Sequence, residues 1–146
     1  GAEGNLSEKF EALSNNNPRI IYKPNVPFEQ KLYYFQKMDI LLAPTLELQA
    51  CMGVAIKEAM ACGKPIIASN SGGIPEAIEN DIHGLVIPII NGEINKELFI
   101  NKTRELVQNS SLRSKMGEKG RNRALKLFTN SATTEKYINI IENRIC

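Results

Sequence analysis

The sequence predicts an α/β fold in which helices cover a parallel β-sheet. The first observation is an unbroken apolar run at residues 66–68, of the kind found in central strands that are covered on both faces. The second is the order of the surrounding segments, because helix, strand, polar loop and helix follow one another as they do in parallel sheets. The chain has 146 residues, which suits one such domain.

The beginning of the chain predicts a helix followed by a strand. Asn5 is placed to cap a helix from residue 6 to about residue 14, and Glu8 completes a capping box three residues later. Residues 19–22 are mainly apolar and predict a short strand. The loop at residues 23–27, which contains Asn25 and Val26, then lies at the carboxyl end of that strand.

A second helix and a second strand come next. Residues 28–37 have apolar side chains at helical spacing, so Phe28, Leu32 and Phe35 are expected to face inward. Residues 39–44 contain the run Ile-Leu-Leu-Ala and predict another buried strand.

The most informative stretch is residues 53–78. Gly53 is placed to begin a helix over residues 54–61, which is rich in alanine and can approach a sheet closely. Gly63 supplies the left-handed conformation common after a helix, and Pro65 prevents the helix from continuing. The stretch therefore predicts a compact helix that leads directly into the central strand.

The central strand is followed by a small polar loop, residues 69–73, and by a helix that begins at Ile74 with Pro75 in its first turn. In parallel sheets, ligands bind at the carboxyl ends of strands, where helix N-termini direct free amides at anions. We therefore expect an anionic ligand with hydroxyl groups near Gly53 and Gly73, within reach of the Glu58 carboxylate.

The last part of the chain predicts a turn, a strand and three helices. Residues 80–84 form the turn, where His83 is expected as a residue that tolerates an unusual backbone angle. Residues 85–88 form the strand, and the helices cover residues 95–108, 111–128 and 130–144. Their expected apolar faces contain Leu98, Leu106, Val107, Leu112, Met116, Leu125, Phe128, Tyr137, Ile140 and Ile141.

Composition restricts the classes of function. The net charge of +2 does not require a nucleic acid or a membrane as partner. The three cysteines, Cys51, Cys62 and Cys146, have no metal-ligand or disulfide spacing, which favours reduced thiols and a cytoplasmic setting. One histidine and the absence of an Asp-x-Asp pair give no ligand set, so we expect no metal site.

Two segments resemble a known family. Residues 58–65 read EAMACGKP and residues 72–76 read GGIPE. Both are similar to segments of the C-terminal domain of retaining glycosyltransferases with the GT-B fold, family 4 in particular. That family has a Glu-x7-Glu pattern whose second glutamate corresponds to Glu58, whereas the position of the first is occupied by Ala50.

The resemblance implies a Rossmann-like parallel sheet, the C-terminal half of a GT-B enzyme. Residues 1–146 are then the donor-binding domain, truncated at its N-terminus and lacking its first strand or strands. The implied activity is transfer of a sugar, with retention, from a nucleotide-diphosphate sugar to an acceptor held by a separate N-terminal domain. It implies no metal or other cofactor and no certain catalytic residue in this chain. The implied location is the cytoplasm, including the inner face of the membrane.

The resemblance also assigns roles to residues. The backbone amides of four consecutive residues are expected to face the diphosphate and the sugar, and Glu58 is expected to accept hydrogen bonds from the ribose. The loop of Asn25 and Val26 is expected to face the base. The four amides belong to Cys51, Met52, Gly53 and Val54, and weaker contributions are expected from Gly72, Gly73 and Glu76.

Two alternative functions remain open, and so does the role of one basic helix face. Ala50 favours a nucleotide-binding module without catalysis, and a GT-B-fold epimerase would use the same fold for another reaction. Residues 111–126 carry six basic side chains and one acidic one, Glu118. This helix face is either solvated or a surface for anionic lipid at a membrane.

Overall fold

The computed structural model describes residue 4, residues 6–46 and residues 52–145, with side chains through residue 143. Residues 1–36 and residues 37–146 form two compact units, which we describe separately. The elements in chain order are α1 (Ser7–Asn16), α2 (Phe28–Lys37), β1 (Leu41–Ala43), α3 (Val54–Ala61), β2 (Ile66–Ser69), α4 (Ile74–Ala77), β3 (Gly84–Ile87), β4 (Ile89–Ile90), β5 (Glu93–Ile94), α5 (Lys96–Gln108), α6 (Ser110–Leu127) and α7 (Asn130–Ile145).

The first helix of the first unit starts one residue later than expected. Its N-cap is Leu6, which provides no side-chain cap, and the Ser7 hydroxyl accepts a hydrogen bond from the Gly4 amide at 2.8 Å. Asn5, the expected cap, lies outside the described residues. The rings of Phe10 and Tyr22 stack with their centroids 6.3 Å apart, so the segment after the helix folds back over it.

The strand expected at residues 19–22 is wrong. The Ser14 hydroxyl donates to the Ile20 carbonyl at 2.8 Å and accepts from the Tyr22 amide at 3.2 Å. The Ile20 amide donates to the Asn17 carbonyl at 2.9 Å. Backbone groups that a β-ladder would use are therefore engaged locally, and residues 19–22 form no strand.

The second helix has the predicted bounds but not the predicted burial. Phe28 is 76% exposed and Leu32 is 57% exposed, while Phe35 is half-buried. The Lys31 ammonium lies 5.3 Å from the centre of the Phe28 ring. Helical spacing shows which face of a helix is apolar, whereas burial depends on what packs against that face.

The second unit contains a three-stranded parallel sheet in the order β1-β2-β3. In its register Leu42 is opposite Ile67, and Ile67 is opposite Leu85. The expectation for β2 is confirmed, because all of its residues are fully buried. The expectation that β1 is buried is wrong: β1 is an edge of this sheet, and Leu42 is 46% exposed.

A two-stranded antiparallel hairpin, β4-β5, follows the sheet and was missed from the sequence. Its turn is Asn91-Gly92, with φ values of 52° and 79°. Asn-Gly between apolar residues is the usual signal for a tight hairpin, because both turn residues need positive φ. That signal is present in the sequence at residues 89–94.

The helices after the hairpin are confirmed within one or two residues, and α5 and α6 pack against one face of the sheet. Asn95 and Asn109 cap α5 and α6, each accepting from the backbone amide three residues later. The core on this face joins strand and helix side chains: Ile67, Leu85, Ile87, Leu106 and Met116. Val107 and Leu125, expected in the core, are exposed instead.

Helix α3 also has the predicted bounds, and its end is held against α6. The amides of Gly63 and Lys64 donate to the carbonyls of Met60 and Ala59, both at 2.9 Å, which is the double bond pattern of a glycine-terminated helix. Gly63 has φ of 69°, as its position predicts. A Cβ placed on Gly117 would lie 2.0 Å from the Gly63 carbonyl oxygen, so the two backbones are in direct contact.

Three arginines of α6 donate to backbone carbonyls near the ends of earlier helices. Arg113 donates to the carbonyls of residues 106 and 107, Arg121 donates to the carbonyl of Ala61, and Arg123 donates to the carbonyls of residues 76 and 77. Helix ends leave carbonyls without partners and are favourable places for cations. Half of the basic residues counted on this helix are thus engaged with the protein itself.

The apolar face of α7 is exposed in the described structure. Tyr137, Ile140 and Ile141 are all exposed. None of the helices in the described residues has an apolar stretch long enough to cross a bilayer.

Candidate functional site

The carboxyl edge of the sheet brings two loops together. Strands β1 and β2 are parallel neighbours, so the loop after Ala43 and the loop after Ser69 leave from the same edge. The buried Ser69 hydroxyl donates to the Thr45 carbonyl and ties the two loops together. The loop after β1 leads into α3, so the start of α3 belongs to this edge of the sheet.

The N-terminus of α3 is open to solvent. Gly53 is its N-cap, with φ of 68°, and has no side chain to bond the amides of the first turn. The first helical bond runs from the Lys57 amide to the Gly53 carbonyl at 3.2 Å, and Val54 is 65% exposed. Unpaired amides and the helix dipole make this end a favourable place for an anion.

Four consecutive residues are predicted to direct their backbone amides at the diphosphate, and the structure describes three of them. Met52 and Gly53 are half-buried and stand directly before Val54, and the contact of their amides with a diphosphate stays a prediction. Cys51 lies outside the described residues, and so does Ala50, the position at which the chain departs from the family pattern.

Glu58 lies one helical turn from that N-terminus and on the same face of α3 as Val54. It is half-buried and lines a groove of about 320 Å³. Lys57 shares the groove, with its ammonium 5.7 Å from the centre of the Phe128 ring. The wall opposite α3 comes from the end of α6 and the residues after it: Ala124, Leu125, Phe128 and Thr129. The arrangement puts a carboxylate acceptor close to an anion-binding helix end.

At Gly73, the second expected anion site, any binding has to come from the backbone amides of the turn, because a helix dipole contributes little there. Helix α4 has only four residues, so few peptide dipoles align and its N-terminus has little positive potential. Gly72, with φ of 50°, and Gly73 instead form a turn at the end of β2. Glu76 is exposed in the first turn of α4, and Arg123 donates to its backbone carbonyl at 2.9 Å.

Two predicted base-contacting residues belong to the first unit. Asn25 has φ of 51°, a left-handed conformation that asparagine tolerates better than most residues. Val26 is half-buried next to it. The loop therefore has a defined turn, and its contact with the base stays a prediction.

His83 has a different role from the one expected. The left-handed residue of its turn is Asp81, with φ of 62°, and His83 is only 8% exposed. Its Nδ1 accepts a hydrogen bond from the Glu79 amide at 3.3 Å, which requires an unprotonated Nδ1. Burial lowers the pKa of His83, the positive charges of Arg123 and Lys119 lower it further, and the Glu79 carboxylate opposes them.

This environment predicts a pH-dependent stability. Because the folded state binds the His83 proton less readily than the unfolded chain does, the contribution of His83 is complete above about pH 6.5. It decreases as the pH falls below that value. We expect His83→Asn, whose Oδ1 can replace Nδ1 as acceptor, to lose less stability than the wild type between pH 7.5 and pH 5.5. Urea unfolding at both pH values measures this, and equal losses in the two proteins would contradict it.

Among the described residues, no group of three or more His, Cys, Asp or Glu side chains is arranged to hold a metal ion. The described groups at the site are backbone amides, the Glu58 carboxylate and the Lys57 ammonium.

Sequence reasoning missed two residues that shape the site. Ser69 was predicted only as part of a polar loop, and Arg123 only as one of six basic residues on a helix. Each acts on a partner 24 or more positions away in the chain, namely Thr45 for Ser69 and residues 76 and 77 for Arg123. Local patterns contain no signal for such pairs.

Comparison with known proteins gives consistent results. Residues 1–123 match the family model described as glycosyl transferases group 1. The chain is 30% identical over 138 residues to an uncharacterized glycosyltransferase of Methanocaldococcus jannaschii, and the match covers 93% of this chain and 36% of that protein. The chain thus spans only about a third of the length of this relative.

Solved structures share the fold. Sucrose-phosphate synthase from Thermosynechococcus elongatus has a TM-score of 0.78 and 22% identity, over 99% of this chain and 37% of that one. HepE from Anabaena, in complex with UDP-glucose, has a TM-score of 0.72 and 17% identity, over 95% of this chain and 38% of that one.

Proposed function

Because the chain belongs to the glycosyl transferases group 1 family, we propose that it binds the donor of a retaining glycosyltransferase, a nucleotide-diphosphate sugar. Its fold is that of the C-terminal half of a GT-B enzyme. On this proposal residues 1–146 form the donor-binding domain. The acceptor is held by an N-terminal domain elsewhere in the whole protein, and the sugar is transferred between the two domains.

One observation supports this function more than any other. Helix α3 combines an open N-terminus at Gly53 with the Glu58 carboxylate one turn further on. A nucleotide sugar needs both features, since its diphosphate is an anion and its ribose has two hydroxyl groups to donate. The UDP-glucose complex of the structurally similar HepE supports a donor of this class.

The proposed reaction requires stabilisation of negative charge on the departing diphosphate. Backbone amides that already point at the place where this charge develops lower the barrier of the reaction, because they do not have to reorganise. On this proposal the amides of residues 51–54 take this role. Glu58 holds the ribose through charge-assisted hydrogen bonds. We propose that binding and transfer need no metal, because helix amides replace the cation that other phosphate sites use.

The proposal is tested by calorimetric titration of the chain with UDP, GDP and ADP, each with and without EDTA. We expect one nucleotide to bind clearly more tightly than the other two, with the same affinity in EDTA. Failure of all three to bind a folded chain would contradict the proposal. Binding that EDTA abolishes and magnesium restores would contradict its metal-free form.

A second function, nucleotide binding without catalysis, is favoured by Ala50 alone. It predicts that the complete protein binds the nucleotide but transfers no sugar from any nucleotide sugar. A transfer assay with the whole protein, following release of nucleoside diphosphate, separates the two functions.

A further inference from the structure

We propose that Arg123 is a positioning residue for the loop at residues 72–76, an inference that rests on the proposed function. This loop is called the donor loop because Gly72, Gly73 and Glu76 are predicted to contribute to donor binding. The guanidinium bridges two consecutive carbonyls, with Nε donating to Ala77 and Nη2 donating to Glu76, both at 2.9 Å. Arg123 comes from α6, about 46 residues further along the chain, so this contact joins two distant segments.

The loop needs support from outside because its own helix is very short. Helix α4 closes only a few backbone bonds, such as Ile78 to Ile74 at 3.0 Å and Glu76 to Gly73 at 3.1 Å. A single helical turn is only marginally stable in water, because few hydrogen bonds offset the entropic cost of fixing its first residues. The carbonyls at its end are also without helical partners. Arg123 supplies donors to two of them.

The other side of the loop is fixed by burial. Ser71, Ile74, Ala77 and Ile78 are all about 1% exposed or less. The turn formed by Gly72 and Gly73 lies between these anchors, at the carboxyl end of β2. Buried anchors hold the depth of the turn, and the Arg123 bridge holds the end of α4, where Glu76 is exposed and Ala77 is buried. The amides of Gly72 and Gly73 are thereby held at the same edge of the sheet as α3.

A matched control exists on the same helix. Arg113 also bridges two consecutive carbonyls, those of Leu106 at 2.6 Å and Val107 at 2.8 Å, but these belong to α5. None of the residues predicted to bind the nucleotide sugar is on α5. Arg113→Gln and Arg123→Gln therefore remove the same kind of contact, and only one of them acts on the donor loop.

The test compares both variants in the full chain, at a temperature at which circular dichroism shows each to be fully folded. Using UDP, GDP or ADP, whichever binds the wild type, we expect Arg123→Gln to raise Kd about fivefold or more. Arg113→Gln should stay within twofold, although both lower Tm. Arg123→Lys should rescue binding only in part, since an ammonium cannot bridge two carbonyls in the planar geometry of a guanidinium. An equal change of Kd in the two glutamine variants would overturn the proposal.

Amide hydrogen exchange separates this proposal from the proposed function. We expect Arg123→Gln to speed exchange at residues 74–78 and Arg113→Gln to leave it unchanged there. If no nucleotide binds the wild type, the proposed function fails and the role of Arg123 in donor binding fails with it, whatever the exchange shows. If a nucleotide binds but exchange at residues 74–78 is the same in all three proteins, only the positioning role is overturned.

Discussion

Gly117→Ala is expected to destabilise the second unit severely, on the order of 4 kcal/mol, or to prevent its folding. A Cβ at this position would lie 2.0 Å from the Gly63 carbonyl oxygen and 2.9 Å from the carbonyl carbon. Both atoms are backbone, so no side chain can rotate away. Relief requires α6 to move away from the end of α3, where Gly117 is buried and Gly63 is half-buried.

Gly120→Ala is the matched control, three residues further along the same helix. Its Cβ would meet the His83 carbonyl oxygen at 3.6 Å and Met60 side-chain atoms at 3.8 Å, which are ordinary contacts. Alanine is favoured over glycine inside helices by about 1 kcal/mol, so this variant should be neutral or slightly stabilised. Urea unfolding measures both. Similar stabilities of the two variants would show that the close contact of α3 and α6 does not limit this fold.

Glu58→Gln is expected to weaken nucleotide binding about tenfold to a hundredfold without unfolding the chain. The variant keeps the shape of the side chain and removes its charge, and a hydrogen bond to a charged group contributes about 1.5–3 kcal/mol. Glu58 is half-buried in a groove one turn from the open end of α3. The proposed function assigns the ribose of the bound nucleotide to this place, beside its diphosphate.

Glu118→Gln controls for the loss of one negative charge from the chain. Glu118 is exposed on α6, outside the groove that Glu58 lines. Calorimetry with the nucleotide that binds the wild type measures both variants. An unchanged affinity of folded Glu58→Gln, or an equal loss in both variants, would remove Glu58 from the binding site.

Local sequence signals predicted the individual elements closely. Helices α2 and α3 begin and end at the predicted residues, and the glycine at 63 has the predicted positive φ. These features depend on neighbours in the chain: apolar spacing, a cap, a helix-ending glycine and a following proline. The central strand was also predictable, because a run of apolar residues between turn signals fits few other environments.

Local signals were insufficient where a partner decides the outcome. Residues 19–22 are apolar but bond to Ser14 in place of a neighbouring strand. The apolar faces of α2 and α7 have helical spacing and are exposed in the described structure. A periodic pattern records that a face is apolar, and only the packing of other elements buries it.

The sequence by itself determined the fold class, the start and end of α3 and the family, because these depend on short contiguous segments such as residues 58–65 and 72–76. The tertiary structure alone decided which long-range contacts shape the site. The Ser69 hydroxyl bonds to Thr45, Arg123 bridges the end of α4, and Gly117 meets Gly63. The physical reason is that hydrogen bonds and close backbone contacts act over a few ångströms in space. The residues that make these contacts are 24 to 54 positions apart in the chain.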